Sequence, residues 1–177
     1  MKPPELIACR GLPGSGKTTW ARQQLAAAPL GTLMRVNRDG LRCMMLPADY
    51  RRPVPEIEQQ VSLTADLIVT GLLNSGISVI ADDTNLHPEH LRRVLTVAQW
   101  PSATWRVADF VDVPLETCIA RDAMRDEADR VGREVIVDMH KRHIAPFGGR
   151  LIPVPVPDGV TIATLPRLDE PVPRWLQ

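Results

Sequence analysis

The stretch from Leu6 to Arg22 restricts the folds open to this chain more than any other. A short apolar run, Leu6 to Cys9, turns through Gly11-Leu12-Pro13-Gly14-Ser15-Gly16-Lys17-Thr18 into a helical pattern from Lys17 to Ala27. Gly11, Gly16, Lys17 and Thr18 occupy the positions that G-x-x-x-x-G-K-[ST] specifies, and a strand before with a helix after is the context in which this Walker A pattern works. Its small residues bring successive backbone N–H groups together, and a helix beginning near Gly16 adds the positive end of its dipole, so the turn is an anion cradle. A nucleoside triphosphate tail fits such a field. Gly14, Ser15, Gly16, Lys17, Thr18 and Thr19 are the expected donor contacts, with Lys17 reaching the β- and γ-phosphates and the Thr18 hydroxyl binding metal. ATP, or another NTP, with Mg²⁺ is therefore the expected cofactor pair.

At 177 residues and 19.6 kDa, with 44% hydrophobic residues, the chain suits one domain around one sizeable core. Its 21 basic and 21 acidic side chains cancel, which removes the global field that polynucleotide-binding surfaces usually show. Any nucleic-acid contact must then be local. Only Lys2, Lys17 and Lys141 are lysines, and the planar fork of arginine grips phosphate oxygens better. A compositional bias that also favours Ala, Val and Pro accounts for the arginine excess, so only arginines inside motifs carry weight. Cys9, Cys43 and Cys118 are odd in number and scattered, against both a disulfide framework and a structural metal. No apolar run approaches the ~20 residues of a membrane span, and the first strand follows Met1 closely, which predicts a cytoplasmic protein without membrane association.

Further along, Thr32 to Asn37 reads as a second strand and Gly40 to Leu46 as a short helix with Asp39 near its start. Pro47 to Pro55 reads as an exposed loop carrying Tyr50, Arg51 and Arg52. From Glu56 to Asn74, Ile57, Val61, Ala65, Ile68 and Leu72 recur at helical spacing, and Gly76 stops the pattern. Ile77 to Ala81 is a strand that ends in Asp82-Asp83-Thr84-Asn85. Pro88 opens a helix whose Leu91, Val94, Leu95 and Ala98 share a face, and Pro101 closes it. Thr104 to Val113 gives a fourth strand, Pro114 starts a helix toward Arg125, and Arg133 to Ile144 gives another. Between those helices the charged segment of about 121–133 has the low hydrophobicity of a mobile lid. Residues 151–177 are Pro-rich, with an edge strand within Gly159 to Leu165.

Strands alternating with helices predict an α/β fold, a parallel sheet flanked by helices with right-handed crossovers, whose ligands bind beyond the carboxyl ends of the strands. Three such ends are polar here: the phosphate loop, Arg38-Asp39 and Asp82 to Asn85. Phosphoryl transfer to an alcohol needs a phosphate clamp, a metal site, a group to orient and deprotonate the hydroxyl, and positive charge over the phosphates. Asp39 is the candidate for the proton; a helix N-cap is its ordinary alternative. Arg42, three residues on, projects to the same side of a helix and is a candidate for a phosphate of the acceptor, with Arg38 beside it. Asp83 has three candidate duties: anchoring Arg42, touching the acceptor, or joining the metal's outer shell. Asp82 is its rival. Thr84 and Asn85 are acceptor contacts or an ordinary turn. Arg121 and Arg125, four apart, share a helix face pointing at the lid region, although such charged runs are also ordinary solvated surface. His87, His90, His140 and His143 read as dispersed surface residues.

Gly-x-Pro-Gly-Ser-Gly-Lys-Thr-Thr-Trp-Ala-Arg (Gly11 to Arg22), Val-Asn-Arg-Asp-x-x-Arg (Val36 to Arg42), Asp-Thr-Asn-Leu-x-Pro (Asp83 to Pro88) and Phe-x-Asp-Val-Pro (Phe110 to Pro114), followed by Arg121 and Arg125, resemble the kinase domain of the T-even phage type of polynucleotide 5′-kinase, within the P-loop kinase superfamily. The resemblance runs from about Leu6 to Ile144. It implies a P-loop kinase-like domain over residues 1–150 with a helical lid, and transfer of the ATP γ-phosphate to the 5′-hydroxyl end of DNA or RNA. It further implies Asp39 as general base, Arg42 near the acceptor phosphate, Asp83 as an active-site aspartate and Arg125 as a lid arginine on the ATP phosphates. Larger members add a phosphatase domain marked D-x-D-G-T; that motif does not occur here, so no 3′-phosphatase is expected. Gly40 departs from the acidic residue usual after the base. A P-loop kinase of a small molecule (a sugar acid, nucleotide, antibiotic or amino sugar nucleotide) and a nucleotide-dependent switch are the competing readings. The switch has no use for both Asp39 and Arg42.

Overall fold

The computed structural model describes residues 3–47, 55–97, 103–148, 152–154 and 163–164. In chain order these form β1 (Glu5–Arg10), α1 (Lys17–Ala27), β2 (Leu33–Val36), α2 (Arg38–Met45), α3 (Pro55–Asn74), β3 (Ser78–Ala81), α4 (Pro88–Val97), β4 (Thr104–Asp109), α5 (Leu115–Ala123), α6 (Arg133–His143) and β5 (Ala163–Thr164). The predicted loop with Tyr50, Arg51 and Arg52 falls outside the described residues, as do Ala98 and Pro101.

The strands form one sheet in the order β2-β3-β1-β4-β5, parallel at every pairing. A parallel strand covered on both faces must be apolar throughout. Leu6, Ile7, Ala8 and Cys9 meet that demand, each no more than 4% exposed. One layer packs β1 and β3 side chains against Val61, Val69 and Leu73 of α3 and Leu91 and Leu95 of α4. The opposite layer sets Ile7, Cys9 and Ile80 against Ala21 of α1 and Phe110. Ile68, Leu72 and Ala65 also face the first layer, as their spacing predicts.

Register brings the polar strand ends together. Val36 pairs with Ala81 and Ala81 with Ala8, so the residues after β2, β3 and β1 emerge side by side. Asp82 N–H donates to the Val36 carbonyl at 2.9 Å and Gly11 N–H to the Thr84 carbonyl at 2.9 Å, which fastens the three turns to one another.

Several boundaries differ from the sequence reading. The fourth strand stops at Asp109 rather than Val113, because Val113 N–H turns back to the Phe110 carbonyl. The 121–133 segment is the stretch that the sequence reads as a lid. It comprises the end of α5 and a single 3₁₀ turn at Glu127–Asp129, and the buried Asp122 carboxylate gathers it by accepting from the N–H groups of Val131 and Gly132. β5, at the sheet edge beside β4, lies inside the predicted strand window. Upstream of it, Arg10 is buried and donates to the carbonyls of Ile152 and Pro153 as well as to Asp109.

Candidate active site

The phosphate loop keeps its shape through glycine. Gly14 adopts φ +78°, and a Cβ there would lie 2.2 Å from the Cys118 carbonyl oxygen of α5. No L side chain survives both conditions. Gly14→Ala is therefore expected to unfold at a clearly lower temperature and to lose nucleotide affinity; a melting curve matching the wild type would show that the loop and α5 are less tightly apposed. Gly16, at φ +100°, caps α1 in the left-handed region. A Cβ on Gly16 would point into open space, 3.8 Å from an Arg121 guanidinium nitrogen.

That space is a cleft of about 540 Å³ lined by residues 14–20, Gln23, Arg121 and Arg125. All six expected donor-nucleotide residues of the loop and both arginines meet there. Trp20, lining the same cleft, packs edge-on against Phe110 with ring centroids 5.9 Å apart. Lys17 is buried and donates to the Gly11 and Leu12 carbonyls at 2.9 and 2.7 Å. Burial pulls its pKa down, and the Asp82 carboxylate is the largest influence opposing that. Asp82 itself is 4% exposed. Its Oδ2 accepts from Arg35 Nε at 2.6 Å, while Oδ1 has no hydrogen-bond partner.

Beyond β2, Asn37 rather than Asp39 caps α2, its side-chain oxygen accepting from Gly40 N–H at 2.9 Å. A Cβ at Gly40 would come within 2.8 Å of that oxygen, a local reason for glycine there. Asp39 is thus released from capping and sits in the first turn with its side chain 78% exposed. Arg42 Nη1 donates to it at 2.5 Å.

The anchoring of the arginines differs from the sequence reading. Arg42 is held by Glu58 of α3, which accepts from Nε at 2.6 Å and from Nη2 at 2.7 Å. Asp83 instead pairs with Arg38, 3.3 Å away, and accepts the Arg38 backbone N–H at 3.1 Å. Burial pushes the Asp83 carboxyl up, with the Arg38 charge the largest influence opposing it. Asn85 is not available as an open contact surface. It is 1% exposed, sits at φ 43° and donates its amide to the Cys9 carbonyl at 2.8 Å, locking the β3 turn to β1. Thr84 contributes the carbonyl that receives Gly11. Arg125 lies 3.3 Å from Asp122. His143 meets His87, ring centroids 5.6 Å apart, and His87 meets His90 at 5.1 Å, so three of the four histidines converge.

Glu58 escaped the sequence reading because nothing in a pattern marks which acid, sixteen residues downstream and across a loop, folds back onto Arg42. Arg35 escaped it because a strand arginine looks like ordinary surface until the register sets it beside Asp82.

Among the described residues no helix is long and apolar enough to cross a membrane, and no cluster of His, Cys, Asp or Glu is arranged to hold a metal ion by itself. A chain in the structure of the Pnkp1/Rnl/Hen1 complex is 28% identical, with a TM-score of 0.61, over 72% of this chain and 41% of that one. A chain in the structure of the Pnkp1/Rnl/Hen1 RNA repair complex is 26% identical, with a TM-score of 0.66, over 92% of this chain and 52% of that one. This chain therefore spans about half or less of the length of those two relatives. Kti12 of Chaetomium thermophilum, crystallised in complex with ADP-AlF3, shares the fold at 21% identity and a TM-score of 0.63, over 93% of this chain and 90% of its own. The architecture is the P-loop kinase-like one: a parallel sheet between helices with the phosphate loop after the central strand. Residues 6–146, most of the length, match the family described as AAA domain, and the chain belongs to that family.

Proposed function

We propose that this protein is a polynucleotide 5′-hydroxyl kinase, which moves the γ-phosphate of ATP to the 5′-hydroxyl of a DNA or RNA end. The observation that carries the reading is the meeting, at one rim of the sheet, of a phosphate cleft flanked by Arg121 and Arg125 and an exposed Asp39 carboxylate held by Arg42. A nucleotide-binding switch needs the cleft alone. The relative at 26% identity belongs to an RNA repair complex, which favours a nucleic-acid end over other alcohols.

In this reading the cleft binds the triphosphate through the loop N–H groups. Lys17 exchanges its contacts with the Gly11 and Leu12 carbonyls for phosphate oxygens. Arg121 and Arg125 meet the charge on the transferring group, whose transition state responds chiefly to positioning and electrostatics. Asp39 accepts a hydrogen bond from the 5′-hydroxyl, orients its oxygen, and takes the proton as the new P–O bond forms. A carboxylate is a weak base, so the proton moves late in the step. Arg42 fixes the Asp39 rotamer; Glu58 and Asp39 take three of its N–H groups, and the other two of an arginine's five can meet the phosphate next to the reacting hydroxyl. The residues fit Mg²⁺: Thr18 would hold it, and the unpartnered, buried Asp82 Oδ1 can accept from its hydration shell. When bound, the ion offsets charge on the phosphates. Residues 1–150 would form the kinase domain and 151–177 a Pro-rich appendage fastened at Arg10.

Incubation with Mg²⁺ and γ-labelled ATP tests the reading, with 5′-hydroxyl DNA, 5′-hydroxyl RNA and a panel of small metabolites as acceptors. Label is expected on a nucleic-acid end and to be lost when that end already carries a 5′-phosphate. Label confined to a metabolite would overturn the acceptor assignment.

A further inference from the structure

Arg42 is the arm that the proposed reaction turns toward the acceptor's phosphate, and its charge is already matched. The side chain is buried. Both oxygens of Glu58, in the first turn of α3, accept from it, at 2.6 Å from Nε and 2.7 Å from Nη2, and Asp39 accepts from Nη1 at 2.5 Å. The neighbouring Arg38 is matched by Asp83 at 3.3 Å. Neither arginine therefore stands as an open cation. We infer that Glu58 is a positioning residue that makes the arm select by charge: beside the reacting hydroxyl it admits a phosphodiester, with one negative charge, and discriminates against a phosphomonoester, with two. The inference rests on the polynucleotide reading and adds a specificity to it.

An unpaired guanidinium attracts a dianion more strongly than a monoanion. One that a carboxylate clamps through two N–H groups still donates through those left over, but the incoming phosphate then also lies within ångströms of Glu58 and Asp39, and like charges repel at that range. The hydrogen bonds from Arg42 offset that repulsion for the first negative charge. A second charge adds repulsion and finds no further donor. The Glu58 hydrogen bonds push the Arg42 pKa up, with burial opposing them, so the guanidinium stays charged and the balance is fixed by the two carboxylates around it. Glu58 is the one of these two that takes no part in the proton transfer, which lets its charge be changed without removing the base.

The test uses the full chain with γ-labelled ATP, Mg²⁺ and two small acceptors that differ by one methyl group and hence one charge: a nucleoside 3′-monophosphate with a free 5′-hydroxyl, and its 3′-phosphate methyl ester. At about pH 8 the wild type is expected to favour the ester by about tenfold in kcat/KM, the scale of one like charge at this range near a protein surface. Glu58→Gln is expected to bring that ratio to about one, with ATP affinity near the wild-type value, and Glu58→Asp, which keeps the charge, to retain the preference. The wild type alone supplies a second measurement. The monoester takes up a proton near pH ~6, so by about pH 5.5 the two acceptors carry similar charge and the ratio is expected to approach one. His90 of α4, whose pKa burial and Arg38 hold down, then acts on both acceptors alike. Equal use of the two at pH 8, a ratio that ignores pH, or a preference that survives in a Glu58→Gln protein that still binds ATP would each overturn the selection and leave the kinase reading standing. So would loss of the preference in Glu58→Asp, which would tie it to fit rather than charge, or labelling of oligonucleotides with neither small acceptor used. Failure to label any 5′-hydroxyl nucleotide or oligonucleotide would overturn the polynucleotide reading and the selection with it.

Discussion

Asp39→Asn is expected to lower the rate of phosphoryl transfer by about 10²- to 10⁴-fold, the range that a positioned general base contributes, with ATP affinity near the wild-type value. The substitution isolates the proton. Asparagine is isosteric and its amide oxygen can still accept from Arg42 Nη1, which lies 2.5 Å from Asp39 Oδ1, so the first turn of α2 keeps its tie. Asn37 supplies the N-cap, and the Asp39 side chain is 78% exposed, so folding depends little on it. Single-turnover transfer to a 5′-hydroxyl oligonucleotide, with ATP binding and thermal unfolding on the same sample, checks the expectation. Transfer within a few-fold of the wild type would remove Asp39 from the role of base. A parallel fall in stability would instead make it a structural residue.

Arg121→Ala is expected to cost about 10³-fold or more in kcat, as the loss of an arginine that meets transition-state charge on a transferring phosphoryl group does. The sequence alone ranks Arg125 ahead, since the family resemblance implies a lid role for it. The structure brings an Arg121 nitrogen to 3.8 Å from the point where a Gly16 Cβ would stand, and that point overlooks the phosphate cleft. Arg125 is tethered to Asp122 and 38% exposed. Its replacement is expected to give the smaller loss, and the double variant less than the product of the two if both arginines meet the same oxygens. Arg121→Lys should recover little, because a point charge does not reproduce the planar fork. Pre-steady-state kinetics at saturating ATP separates these outcomes from weakened binding. A larger loss in Arg125→Ala than in Arg121→Ala would reverse the order argued from the geometry.

The sequence made the phosphate loop and its flanks legible because every requirement there is local. Helix α1 runs from Lys17 to Ala27 as its pattern predicts, since a glycine in the left-handed region and a buried lysine leave the chain one way to begin it. The long α3 was equally readable, because twenty residues of apolar spacing average out local accidents. What stayed hidden depends on which surfaces come to face each other. Asp83 was legible as an important acid, yet its partner is Arg38 rather than Arg42, and only the β2–β3 register decides between them. For Asn85 the sequence left an acceptor contact and an ordinary turn both open. Its buried tie to the Cys9 carbonyl is a contact across 76 residues that no motif announces. What gathers residues 121–133 was hidden for a related reason: a charged, weakly hydrophobic segment does not announce that Asp122, almost fully buried, collects the backbone N–H groups at its far end.

The contact between Gly14 and the Cys118 carbonyl bears on how closing the site can work. Where the phosphate loop and the helix carrying Arg121 meet backbone to backbone, that helix has no room to swing about its first turns. In the proposed reaction Arg121 would then meet the phosphates by rotation of its side chain, without movement of the first turns of α5. On the proposed reading the positive charge is pre-organised, set in place during folding, so little reorganisation would remain when the nucleotide arrives.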